Sequence, residues 1–181
     1  MKASTKEIIK IIIADDHPLF RRGLKHALEE TSDIEVIGEA SNGDSLLSMI
    51  KSDNLDMVLL DISMPGKSGL DLLKQLKSEH SKLPILILSV YPEEQYAVRF
   101  IKAGASGYLT KESAAEKLAE AIRKIAAGGK YASTAVIEKL AFDFSDSEKP
   151  LHETLSDREY QVFEMIAIGK SLTEIGVDLS L

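Results

Sequence analysis

Residues 57–69 read MVLLDISMPGKSG: four apolar residues, a single carboxylate at Asp61, and then a loop carrying Pro65, Gly66 and Gly69. A short apolar run closed by turn residues is the pattern of a strand buried on both faces, as in a parallel sheet under helices. Asp61 then stands at the strand's carboxyl end, where open α/β sheets gather their ligands and chemistry. Three more runs deliver polar groups to the same rim. KIIIADD (10–16) ends on Asp15 and Asp16, PILILS (84–89) ends on Ser89, and GYLTK (107–111) delivers Lys111.

Strand-like runs alternate with amphipathic stretches five times, which predicts an α/β fold: a parallel sheet with helices on both faces. The first strand is expected at 8–14. Pro18 opens a helix, a position where its missing N–H costs nothing, and Phe20, Gly23, Leu24, Ala27 and Leu28 form its expected inward stripe. IEVIGEA (34–40) alternates polar with apolar residues, as an edge strand does. Further helices carry Leu46, Leu47 and Ile50, then Leu70, Leu73 and Leu76, then Ala97, Phe100 and Ile101 with a stop at Gly104. The last strand, 107–109, is short enough for an outer edge. Its helix, 114–127, stops at Gly128-Gly129.

Residues 1–129 are therefore expected to form one domain. Residues 130–153 read as a connector, with a short helix at 134–141 and an acidic tether, FDFSDSEKP, at 142–150. In 154–181, Ser156–Glu159 and Ser171–Glu174 each have the spacing of a capping box that opens a helix, and Leu155 and Tyr160 are placed for a hydrophobic staple. Gly176 inside the second helix costs about 1 kcal/mol relative to alanine.

Composition excludes several classes. There is no cysteine, so neither a disulfide framework nor a thiolate site exists. The apolar N-terminal run is broken by Lys10 and meets Asp15, which fits neither a signal peptide nor a membrane span. A cytoplasmic protein without membrane contact is expected. Residues 1–128 carry 17 Lys/Arg against 19 Asp/Glu, while 129–181 carry 5 against 10. That acidic tail is the reverse of the balance by which proteins neutralise nucleic-acid phosphates.

Each rim residue has a plain reading alone: Asp15, Asp16 and Ser89 as helix caps, Lys111 as a solvated amine. Together they resist it, because converging carboxylates raise one another's pKa unless a cation neutralises them. An all-oxygen set favours Mg²⁺ or Ca²⁺. Mg²⁺ is the better match, since it uses one or two carboxylates and leaves another free. A free aspartate is a nucleophile for a phosphoryl group, with Lys111 and Ser89 placed to meet the charge on its oxygens. A flavin-phosphate site would instead ask for hydroxyls and amides after the first strand. A haloacid-dehalogenase-type phosphatase would ask for a second Asp where Ser63 stands. A metal-dependent phosphotransferase or phosphatase acting on a small substrate stays open as the rival class. His17, beside two acids, is given no metal or phosphohistidine role.

IIIADDHP, LLDISMPGKSG, LILSV and GYLTKE, in this order, resemble the receiver domain of a two-component response regulator. LSDREYQVFEMIAIGKSLTEI resembles the start of a LuxR-type helix-turn-helix, so the similarity is to the NarL/FixJ group. The resemblance implies a flavodoxin-like receiver with strand order 2-1-3-4-5, followed by a small incomplete all-α module. It implies Asp61 as phosphoacceptor for a sensor histidine kinase. Asp15, Asp16, Asp61 and the Ser63 carbonyl would hold Mg²⁺, and Lys111 would pair with the phosphoryl oxygens. Ser89 would be the switch hydroxyl and Tyr108 the switch aromatic, although Tyr108 reads equally well as an ordinary edge-strand residue. The signal would be read out on the helix at 93–104 and the strand at 107–109. Glu112 stands where many receivers have proline. The implied activity is that of a regulator rather than an enzyme, with at most self-dephosphorylation. Homodimerisation and DNA binding are implied for the full-length protein. The similarity ends at Leu181, before a recognition helix, so specific DNA binding is not expected of this chain.

Overall fold

The computed structural model describes residues 8–50, 54–143, 155, 157–167 and 169–179. The acidic run 144–150 and the Ser156 cap lie outside them. The chain divides into two compact units, 1–145 and 146–181.

In the first unit β1 (Ile9–Ala14), β2 (Ile34–Ala40), β3 (Met57–Asp61), β4 (Ile85–Ser89) and β5 (Gly107–Thr110) form one sheet. Its order is β2-β1-β3-β4-β5 and every pairing is parallel. Between the strands run α1 (Pro18–Glu29), α2 (Gly43–Met49), α3 (Gly69–Glu79) and α4 (Glu93–Lys102), and α5 (Lys111–Ala126) follows β5. Every residue of β3 and β4 is buried, which is why both read as unbroken apolar runs. β2 lies at the edge and alternates as expected. Its register slips at Ile37, since Ile11 pairs with Val36 and Ile12 with Gly38.

Two expectations need correction. Leu24 and Leu28 of α1 are buried and Phe20 is half-buried, but Gly23 and Ala27 face solvent. Both precede a buried leucine by one residue, a rotation of about 100° on a helix of 3.6 residues per turn, which carries them off a narrow contact stripe. The helix after β5 begins at Lys111 rather than 114, because Thr110 caps it: its hydroxyl accepts the Ser113 N–H at 3.3 Å.

Beyond Gly129 the chain stays with the sheet. Tyr131 forms a parallel bridge to Gly107, accepting the Tyr108 N–H at 3.1 Å and donating to the Ser106 carbonyl at 3.0 Å. A Cβ at Gly107 would lie 2.7 Å from the Tyr131 carbonyl oxygen, so only glycine admits this close approach. α6 (Thr134–Asp143) then packs on α4. Val136 is buried, the Ser133 N–H donates to Glu93 Oε1 at 2.7 Å, and Lys139 Nζ donates to the Glu94 carbonyl at 2.9 Å.

The second unit contains α7 (Asp157–Ala167) and α8 (Leu172–Asp178). The capping box at Ser171 and Glu174 forms as the spacing predicts, and Gly169 takes the turn between the helices at φ +84°. Ile175 and Leu179 are buried, while Phe163, Ile166, Leu172 and Val177 are exposed.

Candidate functional site

The sheet register builds the site. Ala14 pairs with Leu60, so Asp15 and Asp61 leave their strands side by side. Ser89 ends the next strand, and Thr110 pairs with it, which brings Lys111 to the same rim. Asp15, Asp61 and Ser89 are fully buried. Lys111 Nζ lies 2.7 Å from Asp61 Oδ2, in a hydrogen bond, and 2.7 Å from Asp15 Oδ2, as an ion pair outside hydrogen-bond geometry. Asp61 Oδ1 accepts the Ser63 N–H at 2.9 Å, and Asp15 Oδ1 accepts the His17 N–H at 2.7 Å. The plain reading of Asp15 and Asp16 as caps fails, because α1 has His17 at its N-cap and no side-chain cap bond.

One ammonium therefore faces two buried carboxylates, with Asp16 beside them. Burial, reinforced by the Asp15 charge, pushes the Asp61 carboxyl above the usual carboxylate range, against the pull of Lys111 and the Ser63 N–H. Burial alone would lower the Lys111 amine, but its close contacts with Asp15 and Asp61 and their charges outweigh that and raise it. Both directions fit one picture: an ammonium held firmly charged among more negative charge than it neutralises.

One ligand atom from each of Asp15, Asp16, His17 and Asp61 lies within 4.8 Å of the others. Three of the four donors are carboxylate oxygens, two of them on buried side chains, a hard set suited to Mg²⁺. Asp16 Oδ1 is shielded from solvent and accepts no hydrogen bond. By donor chemistry and by this unmet oxygen, the residues fit a divalent cation.

Ser89 and Tyr108 meet on the backbone of one residue, Tyr91. Ser89 Oγ accepts the Tyr91 N–H at 3.0 Å, and the Tyr108 hydroxyl donates to the Tyr91 carbonyl at 3.0 Å. Tyr108 is fully buried, its ring tilted against Phe100 at 6.2 Å between centroids. Two residues escaped the sequence reading. Phe20, expected only as core, places its ring 4.8 Å from Lys111 Nζ, a cation–π contact that helps to hold the amine. His17, given no role, brings Nδ1 to 2.9 Å from Asp16 Oδ1 and 3.3 Å from Asp15 Oδ1. Its adjacency to Asp15-Asp16 was the one signal available.

The response regulator receiver domain family matches residues 11–123. This chain is a two-component response regulator. Its relatives place it in the LuxR/NarL group. It is 33% identical to the response regulator UvrY of Escherichia coli K12, over 96% of this chain and 81% of that protein. It is 37% identical to the nitrate/nitrite response regulator protein homolog of Haemophilus influenzae, over 94% and 81%. Among solved structures, the RcsB response regulator of Salmonella typhimurium aligns with a TM-score of 0.66 at 27% identity, covering 96% of this chain and 84% of that one. The receiver domain of NarL from Mycobacterium tuberculosis aligns at 0.62 with 33% identity, covering 67% and 98%. The response regulator thus has the flavodoxin-like receiver fold and belongs to a family of transcription regulators rather than enzymes. This membership does not favour the rival reading as a small-substrate phosphatase. Among the described residues no helix is long and apolar enough to cross a membrane.

Proposed function

We propose that Asp61 accepts a phosphoryl group from a partner histidine kinase and that this controls a LuxR-type DNA-binding module in the full-length protein. The observation that supports it best is the convergence of Asp15, Asp16 and Lys111 on one buried carboxylate. A carboxylate oxygen of Asp61 attacks the phosphorus of the kinase's phosphohistidine; an O–P bond forms, the P–N bond breaks, and its electron pair leaves on the imidazole. Lys111, already 2.7 Å from Asp61 Oδ2, meets the negative charge on the transferring oxygens. When bound by Asp15, Asp16, Asp61 and the Ser63 carbonyl, Mg²⁺ supplies further positive charge there. Intrinsic activity is limited to self-dephosphorylation.

Ser89 serves as switch hydroxyl and Tyr108 as switch aromatic. A Ser89 hydroxyl drawn to the phosphoryl group releases the Tyr91 N–H, on the same peptide segment that Tyr108 grips by its carbonyl, so a local charge biases the β4–α4 turn. Residues 1–129 act as receiver, 130–153 as linker carrying α6, and 154–181 as part of a helix-turn-helix. The readout face is α4 with β5, and a homodimer is the assembly this group points to.

The deciding experiment incubates wild type and Asp61→Asn with a small phosphodonor, with Mg²⁺ or with chelator, and weighs the intact products. One phosphoryl group on wild type, lost with chelator and absent from the variant, is expected. Equal uptake by Asp61→Asn would overturn the assignment.

A further inference from the structure

We infer that His17 is a metal ligand, and that through it the rim site takes first-row transition-metal dications in preference to Mg²⁺. The inference rests on the carboxylate cluster of the proposed function but not on Asp61 accepting phosphate.

Lys111 occupies one side of the cluster, on Asp15 Oδ2 and Asp61 Oδ2. The imidazole stands at another, with Nδ1 2.9 Å from Asp16 Oδ1, 3.3 Å from Asp15 Oδ1 and 3.9 Å from Asp61 Oδ2. The closest of these contacts is no hydrogen bond: Asp16 Oδ1 is screened from solvent, yet no donor is aimed at it, not even the nitrogen 2.9 Å away. An imidazole nitrogen and a carboxylate oxygen set side by side outside hydrogen-bond geometry, with two more carboxylate oxygens close by, are arranged as ligands about a common cation. The backbone holds the ring there, since the His17 N–H is tied to Asp15 Oδ1 at 2.7 Å. The imidazole is otherwise exposed, with 62% of its side chain accessible.

The chemistry of the donors sets the preference. Mg²⁺ is hard and favours oxygen, gaining little from an imidazole. Mn²⁺ through Zn²⁺ accept imidazole nitrogen readily, with affinity rising along that row to Cu²⁺. A site of three carboxylates and one imidazole therefore discriminates in their favour, and it does so through a single side chain.

The test uses Co²⁺ and Mg²⁺ as probes on the 181-residue chain. Calorimetric titration gives both affinities, and proton NMR of the Co²⁺ form reports imidazole ligation as a hyperfine-shifted, solvent-exchangeable ring N–H resonance. Co²⁺ is expected to bind more tightly than Mg²⁺ by at least about tenfold, the scale on which even the outer-shell partners of a metal ligand act. His17→Asn, a change at an exposed position, is expected to erase the resonance and that advantage while moving Mg²⁺ affinity less than about twofold. Asp16→Asn is expected to weaken both ions, which places them in one site. Persistence of the resonance in His17→Asn, or equal weakening of both ions by that variant, would overturn the inference. Co²⁺ binding with the His17 resonance but no Mg²⁺ binding at all would uphold it and count instead against Mg²⁺ in the proposed function.

Discussion

Asp33 and Asp61 are both nearly removed from solvent and both face a cation, yet one arrangement is closed and the other open. Asp33 lies before β2 and takes a bidentate fork from Arg123 on α5, at 2.8 Å and 2.9 Å, so that one guanidinium answers one carboxylate oxygen for oxygen. At Asp61 a single ammonium is shared with Asp15, Asp16 stands alongside, and burial leaves the Asp61 carboxyl harder to ionise. The first pair ties α5 to the edge of the sheet with one positive charge for one negative charge. The second retains a deficit of positive charge at the place where open sheets bind ligands. The difference teaches that a buried charge can be fully answered within the fold, and that an incompletely neutralised one leaves room for a cation.

That contrast can be broken by measurement. Mg²⁺ at a hundred times its dissociation constant is expected to raise the unfolding free energy by about 2.7 kcal/mol, a gain that Asp16→Asn removes and Asp33→Asn leaves intact. Denaturant titration with and without the ion checks this. Equal gains in both variants would mean that the open cluster is not where the ion binds. Arg123→Ala removes the two-toothed fork from a buried carboxylate, and is expected to destabilise the fold by about 2 kcal/mol without altering phosphoryl uptake. A loss of uptake at unchanged stability would reverse the assignment of roles.

Asp61→Asn is expected to act in the opposite sense, stabilising the fold by about 1 kcal/mol while abolishing uptake, because it removes one of two buried carboxylates that share a single ammonium. A destabilised variant would show that Asp61 is as well neutralised as Asp33. The smallest effect belongs to Glu39, a control on the edge strand β2. Its hydrogen bond from Lys25, at 3.2 Å, holds its carboxyl below the usual value. A carboxylate with a depressed folded pKa contributes stability above its unfolded pKa and loses it as pH falls through the folded one. The difference between wild type and Glu39→Gln should be about 0.5 kcal/mol near neutral pH and should vanish below the ordinary carboxylate range of about 4. A difference that persists in acid would mean that packing, not charge, accounts for it.

The chain determined a great deal by local pattern alone. Unbroken apolar runs at Met57–Leu60 and Ile85–Leu88 marked the buried central strands, alternation from Ile34 to Ala40 marked an edge, and the polar residue ending each run put Asp15, Asp61, Ser89 and Lys111 at one rim. These features were legible because strand burial and helix periodicity depend on neighbours a few residues away. What only the tertiary structure decided depends on partners far along the chain. Nothing in the sequence around Tyr131 announces that it pairs with Gly107, since the signal is the lack of a Cβ on another strand. The exposure of Gly23 and Ala27 follows from which face of α1 the sheet meets. The cation–π contact of Phe20 with Lys111 joins residues 91 positions apart. His17 was readable only as a neighbour of two aspartates. Its Nδ1 reaches the cluster because β1 ends in register with β3 and the His17 N–H is fastened to Asp15, a position set by long-range pairing rather than by local sequence.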